Sequence, residues 1–140
     1  MKPTYTAIDA NNLPMTPGDH HAVRVEHPLL ASPIIVTAQR SPKRMSHAEA
    51  TKWAESLTTT GWSWRLPTVE EAFLICDRTR EGNALPAAEF PDCEGEWIWT
   101  STPCAFSSGA AWVVGLGYGL SGWYYHGGGD HARAVRAGQF

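Results

Sequence analysis

The sequence predicts a single α+β domain in which two helices pack on a twisted, mostly antiparallel sheet. Three observations carry that expectation. The chain has 140 residues, 43% hydrophobic and 18% charged, which suits one compact domain, residues 1–140, with a core of its own. Two capping boxes, Ser46 with Glu49 and Thr68 with Glu71, each precede apolar residues at helical spacing. Short β-branched and aromatic runs, divided by Gly and Pro, lie on both flanks of those helices.

In chain order, residues 1–42 read as an irregular segment with short strands. Pro3, Pro14, Pro17, Pro28 and Pro33, with the turn Pro17-Gly18-Asp19, argue against helix. Strands are expected over Ala22 to Glu26 and Ile34 to Thr37, joined by a wide loop across Pro28 to Pro33. Ser46 then opens a helix running to about Thr59, with Ala50, Trp53, Ala54 and Leu57 on one face and Gly61 as its stop. Thr68 opens a second, with Pro67 just ahead of it. Val69, Ala72, Phe73 and Cys76 form the inward stripe, and the helix fades near Thr79. Asn83 to Glu96, with Pro86, Pro91 and four acids, reads as a long surface loop. Strands are expected again over Trp97 to Ser101, Ala111 to Val114, Trp123 to His126 and Ala132 to Val135. Trp53, Leu57, Phe73, Trp99, Trp112 and Val135 are the expected core.

Composition narrows the function. Apolar runs such as Ala110 to Val114 fall far short of the roughly 20 residues a bilayer span needs, so no membrane partner is expected. Met1 to Asn12 lacks the apolar stretch of a signal peptide, and the expectation is a protein made in the cytoplasm. The net charge is −3, and Arg40, Lys43 and Arg44 are the only tight basic cluster, so no nucleic-acid partner is expected either. Cys76, Cys93 and Cys104 are an odd set without a CxxC pair, best read as reduced thiols.

Five separated motifs carry a resemblance. They are Trp64-Arg65-Leu66-Pro67-Thr68-Val69-Glu70-Glu71, Phe90-Pro91, Trp97-Ile98-Trp99-Thr100-Ser101-Thr102, Ala111-Trp112-Val113-Val114 and Arg133-Ala134-Val135-Arg136. In this order the chain, over Ser46 to Gly138, resembles the bacterial and phage domain family typified by the C-terminal domain of the Legionella collagen-like protein. That resemblance implies a C-type lectin-like fold, with ligands taken at the C-terminal end of the sheet, and it points to a phage protein. Formylglycine-generating enzymes share a similar Arg-Leu-Pro-Thr, but no cysteine pair here is placed like their reactive thiols, so oxidase chemistry is not carried over. Arg65, between Trp64 and Leu66, is expected to hold backbone carbonyls or a carboxylate. Trp99, Trp112 and Arg136 are expected to serve the scaffold.

Phe106 to His131 is the most informative stretch. Tyr118, Trp123, Tyr124, Tyr125, His126 and His131 lie among glycines, so rigid amphipathic rings stand on turns where a partner can approach the backbone. Phe106, Tyr118, Trp123, Tyr125, His126 and His131 are therefore the expected binding residues. Asp19-His20-His21 and His126-Asp130-His131 offer metal-type ligands, and Glu89, Asp92, Glu94 and Glu96 offer oxygens for Ca2+. None has the spacing of a known site, so no metal and no cofactor are expected. Cys104 with His126 or His131 is the one conceivable nucleophile and base, but nucleophile, metalloprotease, phosphate-loop and dinucleotide motifs are all missing. The expected function is a non-enzymatic binding or structural protein of phage origin, recognising a protein or glycan. It would act as a tail or capsid-surface component of a virion or, in a second version, as an intracellular effector bound to a host protein. Assembly into a homo-oligomer is compatible with either version.

Overall fold

A computed structural model describes residues 2–57, 63–80 and 82–137 of the chain. Its elements follow in the order β1 (Thr4–Ile8), β2 (Ala22–Glu26), β3 (Ile34–Thr37), α1 (His47–Glu55), α2 (Val69–Leu74), β4 (Trp97–Pro103), β5 (Ala110–Gly115), β6 (Leu120–Tyr125) and β7 (Val135–Ala137). The α+β class is as expected. The strands, however, divide into two antiparallel sheets, β1-β2-β3-β7 and β4-β5-β6. β7 pairs with β3, Val135 opposite Val36, so the C-terminal strand completes the N-terminal sheet.

β2 and β3 fall where the β-branched runs put them. β1 is an added strand, in register with β2 from Thr4 opposite Glu26 to Ile8 opposite Ala22. β7 begins at Val135, where the expected strand ended, because Ala132 to Ala134 instead bond across to β3 and its exit. Ser41 Oγ accepts from Ala132 N–H at 2.9 Å and Thr37 Oγ1 from Ala134 N–H at 3.1 Å.

Both helices begin at their capping boxes, Ser46 with Glu49 and Thr68 with Glu71. α2 stops at Leu74, short of Thr79. The Asp77 carboxylate there takes the Thr79 N–H at 3.0 Å, and Asp77 N–H donates to Ala84 at 2.8 Å, which turns the chain away. Thr59, Gly61 and Gly138, used above as ends, lie outside the described residues. Arg65 forks onto both oxygens of Glu71 at 2.7 and 2.8 Å and reaches Leu66 C=O at 3.2 Å, as expected. Burial alone would raise the Glu71 carboxyl, but this fork and the Thr68 cap outweigh it and hold it below the ordinary range.

The core is two clusters, one on each side of the strands. One takes Val23, Val25 and Val36 with Ala72, Ile75, Leu85, Phe90, Ile98, Val114 and Leu116. The other takes Ile8 and Ile35 with Ala50, Ala54, Trp64, Leu66, Trp99 and Val113. β3, β4 and β5 thus feed alternate residues to opposite sides.

Four sequence expectations change. Trp99 and Val135 are fully buried, but Trp112 is only half-buried. It points to the other face from Trp99, since it pairs with Trp123 while Trp99 pairs with Val113. Phe73 is also half-buried, with the Arg78 guanidinium 4.1 Å above its ring. Trp53 and Leu57 pack on the rim of the second cluster, while the smaller Ala50 and Ala54 fill its interior. Finally, the segment from Asn83 to Glu96 is irregular but not superficial. Ala84, Leu85 and Phe90 have no exposed surface.

Arg133 explains that burial. It is fully buried, with Asp92 at 2.7 Å, Glu96 at 3.1 Å, the carbonyls of Thr37 and Ala38 at 3.3 and 2.9 Å, and the Phe90 ring 5.3 Å away. One guanidinium ties the 83–96 segment to the exit of β3.

Arg133→Met leaves the Glu96 carboxylate, which is only 6% exposed, with Arg40 at 3.6 Å as its remaining cation, and is expected to cost about 3–5 kcal/mol in urea unfolding. Trp99→Ala is expected to cost about 3–5 kcal/mol by the same measurement. Trp112→Ala should cost less than half as much; equal losses would return Trp112 to the core.

Candidate functional site

Aromatic display is built on β6, the outer strand of the second sheet, whose residues are all exposed except the half-buried Gly122. β5 fixes its register, with Trp112 opposite Trp123, Val113 opposite Gly122 and Ala111 opposite Tyr124. Directly opposed side chains share a face, so β6 presents Trp123 and Tyr125 on one side and Tyr124 on the other.

On the first face four rings interlock edge to face. Phe106, from the β4–β5 turn, meets Trp112 at 6.3 Å and Trp123 at 5.6 Å, and Trp123 meets Tyr125 at 5.5 Å, all within 2° of perpendicular. This is the favoured quadrupolar arrangement, so the rings brace one another while staying in solvent. Phe106 is 66% exposed, Trp123 43% and Tyr125 60%.

The second face carries a cavity of about 260 Å³ between Trp97, Val113, Gly122, Trp123, Tyr124 and Asp130. Its walls depend on glycine. A Cβ on Gly115 would stand 3.0 Å from the Trp97 indole, and one on Gly128 would collide with the Tyr124 ring. Beyond it opens a polar hollow of about 480 Å³ where Arg40, Arg44, Glu94 and His131 join Trp97 and Asp130. Burial pushes the Asp130 carboxyl up to about 6 against the pull of Arg44. Burial first, then the charge of Arg40, lowers the His131 imidazole.

Of the expected binding residues, Phe106, Trp123 and Tyr125 come together. Tyr118 does not join them; it stands in the β5–β6 turn at the far end of β6, beside a separate hollow with Trp97 and Leu120. His131 lies on the opposite face, its backbone between Trp97 and Trp99. His126 is an anchor. Its ring stacks on His47 at 4.7 Å, and its carbonyl accepts the His47 N–H at 2.9 Å, which fastens the end of β6 to α1. Sequence reasoning missed Trp97, Trp112 and Asp130 as members of the surface, and it named Tyr124 among the displayed rings without counting it as a binding residue. The available signal was the glycines Gly115, Gly122 and Gly128, each leaving room for an aromatic ring that only the register identifies.

Other candidates have their own partners. His20 is buried, with Nε2 at 2.7 Å from the Glu89 carbonyl and Nδ1 accepting Gly18 N–H. Asp92 and Glu96 belong to Arg133, and among the described residues no group of three or more potential ligands could hold a metal ion. All three cysteines are free and buried, and burial pushes the Cys76 thiol up to about 12 and raises that of Cys93.

Fold and site together define an α+β domain that displays aromatic rings along an outer strand. The chain belongs to the Lcl C-terminal domain family, whose pattern matches residues 8–136. The match begins within β1, upstream of the stretch from Ser46 that carried the resemblance. No curated protein matches the chain.

A carboxyl whose pKa is raised by folding binds its proton more tightly in the native state, so it loses stability as pH rises from about 4 through 6. Asp130→Asn is accordingly expected to raise Tm by about 3 °C at pH 7.5 and to leave it unchanged at pH 3. Equal shifts at both pH values would mean that the carboxyl is not strained.

Proposed function

We propose that this chain is a non-enzymatic binding module of the C-type lectin-like class, phage-encoded, that recognises a protein or glycan ligand through the ring cluster Phe106, Trp112, Trp123 and Tyr125. The observation that carries this reading is the solvent exposure of braced aromatics on an outer strand. Phe106, Trp123 and Tyr125 stand outside both core clusters, so the scaffold gains little from rings of this size. Large rigid side chains lose little entropy on contact and dominate binding energies where they occur at interfaces. All three thiols, Cys104 among them, are buried, which favours binding over a cysteine nucleophile.

Trp123→Ala and Tyr125→Ala are expected to weaken ligand capture by about 30-fold, as truncated hot spots do, with Tm within about 3 °C of wild type. Immobilised wild-type chain, both variants and an Arg80→Ala control are compared for capture from host extract and on a glycan array. Undiminished capture by both aromatic variants would reject the surface. Mass spectrometry of purified particles separates the virion version, with the chain abundant in them, from the effector version, with the chain absent.

A further inference from the structure

On the face of the second sheet away from Phe106, two rings are set in place by glycine. A Cβ on Gly115 would stand 3.0 to 3.1 Å from three atoms of the Trp97 indole, two of them ring-fusion carbons. Fusion carbons can be approached that closely only over the ring plane, so the indole lies flat on Gly115 and reaches Gly122, where a Cβ would stand 3.5 Å from it. Trp97 nevertheless stays 41% exposed, which leaves its outer side open. Tyr124 beside it is fixed as well, stacked on the buried Trp99 at 6.0 Å and backed by Gly128. These two held rings wall the 260 Å³ cavity, with Val113 and Gly122 beneath.

Asp130 is the charged residue that lines this cavity. It is half-buried, and among the described residues its carboxyl has neither an ion pair nor a hydrogen bond. The charges around it are engaged elsewhere. In the adjoining hollow Arg40 is held by Glu94 at 3.4 Å and Glu96 at 3.6 Å, and Glu96 is also held by Arg133. Burial keeps the His131 imidazole low, and Arg44 pulls on Asp130 from beyond ion-pair range. A carboxylate ionised in this position costs the free protein stability. Groups that burden a fold in this way concentrate where a ligand relieves them.

We propose that the cavity between Trp97, Tyr124 and Asp130 binds a quaternary ammonium group, its methyl groups against the two rings and its charge balanced by the carboxylate. Aromatic rings attract a cation through their quadrupole, and most strongly in the case of indole. The carboxylate adds a full opposite charge and repels an anion. A quaternary centre also needs no hydrogen-bond acceptor. Each N–H of a primary ammonium, or each hydroxyl of a sugar, needs one once it leaves water, and the side chains of Val113 and Trp97 offer none. The rings keep the positions they already hold, so binding requires no rearrangement of the sheet. The site uses neither Phe106 nor Tyr125, and it stands or falls apart from the recognition reading.

The test is isothermal titration calorimetry on the full chain with three probes: choline, its neutral isostere in which a quaternary carbon replaces the nitrogen, and methylammonium. Choline is expected to bind at pH 7.5 with a Kd of about 1 mM, and the other two at least about tenfold more weakly. Asp130→Asn and Trp97→Leu should each weaken choline binding by about tenfold or more, while Arg80→Ala leaves it unchanged. Asp130→Asn carries the test if Trp97→Leu lowers Tm. Because the carboxyl takes up its proton near pH 6, wild type should lose about tenfold in affinity between pH 7.5 and pH 5, and Asp130→Asn should not. No binding of choline at about 20 mM, an isostere or methylammonium that binds as tightly as choline, or full affinity in Asp130→Asn would each overturn the proposal.

Discussion

Among the described residues Arg133 is the one fully buried charge, and it cannot move without loss. A fully buried guanidinium is tolerable only where its donors are met and its charge is balanced, and here Asp92, Glu96 and two carbonyls at the end of β3 do both. Those partners come from two separate stretches of chain. The irregular 83–96 segment must fold inward to deliver its carboxylates, and in doing so it carries Leu85 and Phe90 into the first core cluster. The residues that follow Arg133 are thereby aligned for β7 to pair with β3. One ionic contact thus links the closing of the N-terminal sheet to the packing of a segment without regular structure.

The second sheet is organised around a different constraint. β4 and β5 are buried on both faces, and their alternate residues serve separate clusters. β6 lies beyond the reach of either cluster and keeps its rings in solvent. Its position is held from the ends. His126 is bonded and stacked on His47 at one end, and Arg78 Nε donates to the Gly119 carbonyl at 3.1 Å in the turn at the other. Gly119 needs its freedom there, since its φ is +71° and a Cβ would press on Arg78 at 3.0 Å. A strand fixed at both ends and bare between them can present side chains and backbone to a partner without reorganising, which limits the entropy lost on binding.

The polar hollow behind β6 adds a pH-sensitive element. Asp130 is held by reciprocal backbone bonds with Met45 at 2.9 and 3.2 Å, which set its half-buried carboxyl at the border of the hollow, where loss of hydration disfavours its charged form.

The sequence by itself determined several features that are decided within a few residues. The capping boxes at Ser46 and Thr68, the β-branched strands at Ala22 and Ile34, and the exposure of Phe106, Trp123 and Tyr125 were legible because local hydrogen bonding, strand propensity and side-chain alternation act over one or two turns of chain. The five motifs likewise placed the family. Only the tertiary structure decided which Trp is core. Trp99 and Trp112 have similar neighbours in sequence, yet cross-strand register, with Trp99 opposite Val113 and Trp112 opposite Trp123, sends them to opposite faces. The inward course of residues 83–96 was equally hidden, because it answers to Arg133 some 37 residues further along. Tyr118 and His131 were grouped with Trp123 by proximity along the chain, and the sheet separated them, because a strand carries its two ends apart and its alternate residues to opposite sides.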